Sequence, residues 1–143
     1  MNISQKPTWH FWAISVVSLL WNAMGALDYT MSHTRNAAYM AQFTPEQLAY
    51  FYGFPAWATA FWALGVWGAI SGSIFLLLRK SWAVPAFAIA VFGLLGTGFY
   101  QFTTEMPASF KTPGMIAFTV AIWAVTLFLL WYAHQKRGQG ILT

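Results

Sequence analysis

The chain has no cysteine and very little charge. Without cysteine there are no disulfides, no thiolate metal ligands and no cysteine nucleophile. Only 7% of the residues are charged, against about 25% in a soluble domain. A soluble fold needs a charged surface to meet water, so this chain is expected to turn its outer surface to lipid. Acids are the scarcest group: Asp28, Glu46 and Glu105 are all there are. No spacing brings two of them together, and no Ser-His-Asp order or glycine-rich phosphate loop is present. Nor does an ionisable residue fall in the middle of an apolar run, where a coupled pump keeps one. The chain is therefore expected to be no enzyme and no ion-coupled transporter.

What fills the 143 residues is apolar and aromatic: 59% hydrophobic, with nine tryptophans. Four runs stand out, Phe11 to Leu27, Ala56 to Leu78, Trp82 to Phe102 and Met115 to Ala133. A membrane-crossing helix needs about 20 mostly apolar residues, whereas a barrel strand alternates and runs about 10. The expected fold is all-α, a single integral membrane domain folded as a four-helix up-down bundle, with a short interfacial helix at about residues 45–52. The N-terminal stretch has a signal-like outline, Lys6 before an apolar run and Ala23-Met24-Gly25 after it. Trp9, Trp12, Trp21 and Asn22 are unusual in a signal peptide, so the run is read as a retained first span.

The ten charges lie between the runs and sort by sign. Lys6, Arg79, Lys80, Lys136 and Arg137 fall in the first, third and fifth polar segments; only Arg35 and Lys111 accompany the acids in the second and fourth. The positive-inside rule then places both termini in the cytoplasm and residues 28–55 and 103–114 outside. The basic excess is a topology signal, and no nucleic-acid partner is expected. Trp9, Trp12, Trp82 and Trp131 fall near the inner interface and Trp57 near the outer one, as in an aromatic belt.

The outer loop carries its own helix start. In Thr44-Pro45-Glu46-Gln47, Thr44 suits the cap, Pro45 the first helical position and Gln47 the closing of a capping box. Thr34 offers a cap for another turn within Arg35 to Ala41. Arg79-Lys80-Ser81 permits only a tight turn, and the tail from Gly138 is expected to be disordered.

Candidate ligand contacts are Asn22, Asp28, Tyr29, Arg35, Asn36 and Tyr52. Asn22 is the most polar side chain within a run and should point into the bundle. Thr97, Tyr100, Gln101 and Thr119 are its candidate partners, and a structural bond is favoured over a ligand contact. Asp28, at the end of the first run, and Arg35 could pair across the outer boundary, beside Asn36. Such a pair anchors a loop more often than it binds a ligand. Gly65, Gly68, Ala69 and Gly72, facing Gly93 and Gly96, suit close helix packing within the bundle, with a dimer seam as the other use. His10 and His134 share a depth on the first and last runs, a minimal pattern for haem or metal. They lack a carboxylate or supporting partner, and no cofactor is expected.

Leu20-Trp21-Asn22-Ala23-Met24-Gly25-Ala26-Leu27-Asp28-Tyr29, with Thr34-Arg35-Asn36, Phe43 to Gln47, Phe54-Pro55-Ala56-Trp57, Arg79 to Pro85 and Thr112-Pro113-Gly114-Met115, resembles a family of small four-span bacterial inner-membrane proteins. The resemblance implies the inner membrane of a Gram-negative bacterium and supplies no catalytic or binding residues. The expected function is an accessory or binding protein, holding an apolar ligand or a larger membrane complex, with membrane lipids and further copies of itself as other partners. The alternative is an oligomeric transporter of a small neutral solute.

Overall fold

A computed structural model of the chain describes residues 6–104 and 107–143, and Glu105, one of the three acids, lies outside them. Six α-helices follow in order: α1 (Trp9–His33), α2 (Ala37–Met40), α3 (Pro45–Tyr52), α4 (Ala56–Leu77), α5 (Ala83–Thr103) and α6 (Pro113–Gly138). A 3-10 turn at Ala108–Phe110 precedes α6. The described residues contain no strand. The helices α1, α4, α5 and α6 are each long and apolar enough to cross a membrane; at 1.5 Å per residue they span about 30 to 40 Å.

The starts follow from local chemistry. The Thr44 hydroxyl accepts from the Gln47 amide while the Gln47 side chain accepts from the Thr44 amide, a complete capping box with Pro45 at the first helical position. Thr112 accepts from the Met115 amide, again with proline next to the cap. Pro85 sits in the first turn of α5, where no intrahelical partner for its missing N–H exists.

Two expected boundaries move. The first helix does not stop at Leu27; it runs on to His33. Asp28, Tyr29 and Thr30 are polar without breaking a helix, so the apolar run is shorter than the helix containing it. Thr34 then closes α1, its hydroxyl donating back to the Thr30 carbonyl at 2.7 Å, and Asn36 caps α2 instead. The second shift is the tail. Ile141 and Leu142 are almost fully buried, in one core with Phe11, Leu76, Ala83, Phe87, Leu129, Tyr132 and Ala133. The expectation of a disordered tail missed this because Gly138-Gln139-Gly140 reads as a linker. Gly140 instead turns the chain with φ 78°, and Thr143 donates its amide to the Arg79 carbonyl at 2.9 Å.

That end of the bundle, with the start of α1, the α4–α5 turn and the tail, we call the tail end. The opposite end, under α2 and α3, we call the roof.

Three helices end in the same motif. In α1, α4 and α6 the residue past the C-cap has positive φ, and the next amide reaches back five residues: Asn36 to Met31, Lys80 to Phe75, Ile141 to Lys136. Glycine fills that position only in α6. Arg35 and Arg79 hold it in the others, with φ 50° and 57°. A left-handed non-glycine residue costs about 1 to 2 kcal/mol, so these arginines sit where their side chains have work elsewhere.

Glycine brings α4 and α5 together. A Cβ on Gly93 would strike the Gly65 backbone and come within 2.6 Å of the Phe61 carbonyl; one on Gly68 would lie 3.0 Å from Ala86 and Ala90 backbone atoms. Gly72 makes room for the Phe87 ring and Gly96 for the Phe61 ring. The small-residue stripe is thus used within the chain. α6 is held differently. Its second half buries Thr126, Leu129, Tyr132 and Ala133, while every residue from 113 to 120 is exposed.

Candidate functional site

Polar side chains gather at two levels. The deeper is a knot between α1 and α4. Asn22 is buried, and its amide donates to the Ala69 carbonyl at 3.1 Å and to the Ser73 hydroxyl at 2.8 Å. Ser73 also shares a 3.0 Å bond with Ser18. One turn apart on α1, Ser18 and Asn22 thus meet Ser73 and Ala69, one turn apart on α4 in the reverse order. An amide in an apolar interior needs such partners. The partners expected on the third and fourth runs are not used; they come from the second. Depth along a helix is readable from sequence, but which helix stands opposite is not.

The second level is the roof. α1 brings up Asp28 and Tyr29 side by side and His33 one turn after Tyr29. The Asp28 carboxylate accepts from the Tyr39 hydroxyl of α2. Asn36 accepts the Tyr39 amide at 3.0 Å as the cap of that helix. Tyr39 therefore joins two of the expected site residues, though it was not among them. Its place three residues after a capping Asn was the available signal. The Tyr39 hydroxyl holds its proton far more tightly than an ordinary tyrosine. Burial is the main cause, then the bond to Asp28, then the charge of that carboxylate.

Arg35 does not pair with Asp28. Its guanidinium lies over the Tyr52 ring, 4.0 Å from the centroid. The extension of α1 is the reason: Arg35 lies beyond the helix end, about 10 Å along the axis from Asp28. The left-handed backbone there turns the chain toward α3, and the exposed cation takes an aromatic face instead.

Between these contacts lies a continuous ring system. Tyr29 stacks on His33, with ring centroids 4.1 Å apart, and meets Trp62 of α4 edge-on at 5.2 Å. Trp62 continues to Phe54 and Phe51, and Phe54 to Tyr100 of α5 at 4.7 Å. Tyr50 of α3 packs on Tyr100 and Phe110, and its hydroxyl meets that of Thr104 at 3.0 Å. Burial raises the Tyr50 pKa, helped by Tyr100 and opposed by the Thr104 bond. Edge and tilted geometries dominate, as the ring quadrupole favours. α3 contributes no fully buried residue, so the roof is a lid of half-covered rings rather than a sealed core. Tyr50, Trp62 and Tyr100 hold it to the bundle.

Of the six expected contacts, Asp28 and Asn36 meet through Tyr39, Arg35 meets Tyr52, Tyr29 lies in the ring system, and Asn22 stands apart in the knot. The two expected neighbours at the tail end are both exposed: His10 lies against Trp9 at 3.8 Å, and His134 beside Arg137 at 3.4 Å. Among the described residues no three His, Asp or Glu side chains gather as metal ligands would.

No family model, curated protein or solved structure matches this chain.

Proposed function

We propose that the chain is a multi-pass protein of a bacterial inner membrane, an up-down four-helix bundle with both termini in the cytoplasm. In this reading it is a non-enzymatic accessory or binding protein, with the roof facing outward. Support for residence is the apolar surface: Val17, Leu20, Met24, Phe92, Leu95, Phe99, Ile116 and Val120 are all largely exposed. Burying them in lipid gains about 25 cal/mol per Å2 of apolar area. Support for orientation is the sorting of charge, and the resemblance carried by Leu20 to Tyr29 favours the inner membrane.

The observation that carries the binding role is the closed knot. A path for a neutral solute needs polar, wet surface at mid-depth, and Asn22 is the polar group placed there. Its amide protons are bound to Ala69 and Ser73 instead. What stays open is the apolar flank of α6 and the aromatic lid, surfaces suited to an apolar ligand or a larger membrane complex. Mass spectrometry of the protein extracted in mild detergent tests this. A reproducible apolar ligand or membrane partner is expected. Uptake of a neutral solute by vesicles holding the pure protein would favour the oligomeric transporter.

A further inference from the structure

The tail end holds a cavity of about 500 Å3 between the last turn of α6, the tail and the α4–α5 turn. Ser81, His134, Arg137, Gly140, Leu142 and Thr143 are among the residues that line it. Its surroundings are basic. Lys6, Arg79, Lys80, Lys136 and Arg137 belong to this end, and its polar segments contain no Asp or Glu.

Two of these cations are occupied. Lys136 lies over the Tyr132 ring and donates to Gln139, and Arg79 donates to the Ile141 carbonyl at 3.0 Å. Arg137 is the arginine that faces the cavity. It is exposed, and its contact is a long 3.4 Å approach to Nδ1 of His134. Such a bond is weak and gives way to an oxyanion without leaving a buried group unpaired. A helix C-terminus usually repels anions through its free carbonyls. Here the Lys136 and Arg137 carbonyls accept from Ile141 and Gly140, so they are not free at the rim. Ser81 places a hydroxyl-bearing side chain on the facing wall. The neighbouring Trp82 and Trp131 are both more than half exposed, as indoles at headgroup depth are.

We infer that this cavity holds the phosphate of an anionic phospholipid from the cytoplasmic leaflet. The Arg137 fork and the Ser81 hydroxyl donate to its oxygens, with the His134 ring on the same wall. The acyl chains lie along the exposed apolar side of α6 at Leu127 and Trp131. The inference rests on the membrane reading above. It adds a ligand class and a site at the end opposite the roof.

The test is lipid retention, read by native mass spectrometry after incubation in equal phosphatidylglycerol and phosphatidylcholine. Wild type is expected to keep phosphatidylglycerol about fivefold over phosphatidylcholine, the weight of one interfacial basic residue. Arg137→Gln should bring the ratio to about one, and Arg137→Lys should fall between, because the charge stays and the fork goes. Lys111→Gln removes the same charge from the other side and should leave the ratio unchanged. A C-terminal tag that moves any main-chain carboxylate away from Thr143, which lines the cavity, should raise the ratio, because a negative charge there opposes the phosphate. Equal retention in wild type, or an undiminished preference in Arg137→Gln, overturns the site. Displacement of the lipid by excess inorganic phosphate overturns the lipid assignment in favour of free phosphate. An alkaline wash that strips the protein from membranes would sink the membrane reading instead, and is scored separately.

Discussion

The tail end and the roof are built from opposite materials. The tail end is a small aliphatic and aromatic core in which Phe11, Leu76, Ala83, Phe87 and Ala133 are fully buried, and the tail is clipped to Arg79. The roof has many more rings but buries few. It is held by edge contacts and by single polar bonds, Tyr39 to Asp28 and Tyr50 to Thr104. Dense aliphatic packing resists change, since a lost methylene leaves a void. Half-covered rings rearrange at small cost. The tail end therefore fixes the bundle, and the roof is the part able to yield to a partner.

The sharpest way to break this contrast lies in the seam that joins the two ends. Gly93→Ala puts a methyl into the Gly65 backbone and is expected to cost about 3 kcal/mol in thermal unfolding in detergent. Gly25→Ala, with nothing within 4 Å, should be neutral or stabilising by up to about 1 kcal/mol. Equal effects at the two sites would show that α4 and α5 do not meet there. At the tail end, Leu142→Ala should cost about 2 kcal/mol; a change near zero would mean the tail is not docked.

Between the ends, Asn22→Ala and Ser73→Ala should each cost about 1 kcal/mol and couple in a double-mutant cycle. Pairing Asn22→Ala with Thr97→Ala should show no coupling. At the roof the effects shrink. Arg35→Ala and Tyr52→Ala should couple by about 0.5 kcal/mol, while Arg35→Ala and Asp28→Asn should not couple. The roof also has a pH signature. Tyr39 has its pKa raised by folding, so its contribution is complete below the ordinary tyrosine value of about 10 and is lost as pH rises above it. Roof protection in hydrogen exchange should fall above that pH in wild type and follow a flatter course in Tyr39→Phe.

Much of the architecture could be read from the residues alone. The four apolar runs became four long helices, because length and continuous apolarity are properties of the chain itself. The Thr44 and Thr112 caps were legible for the same reason: every atom involved lies within four residues. The small-residue stripe announced close packing, and Gly93 and Gly96 marked α5 as the helix that fills it. The errors lie where distant segments meet. Asn22 signalled a need for partners without revealing that Ser73 would supply one. Asp28 and Arg35 looked like a pair because opposite charges attract. The continuation of α1 separated them, and Tyr39 and Tyr52 took their places. The tail looked flexible because its glycine turn is visible locally, whereas its pocket among Phe11, Leu76 and Phe87 is not.

The central claim is that the roof and the tail end face opposite sides of a membrane. The absence of cysteine makes it directly measurable. Single substitutions Glu46→Cys, Lys80→Cys and Gln139→Cys can be exposed to a membrane-impermeant maleimide in intact cells and after permeabilisation. The account predicts labelling of position 46 in intact cells, and of positions 80 and 139 only once the membrane is opened. Labelling of position 80 in intact cells, or equal labelling of all three under both conditions, would contradict it.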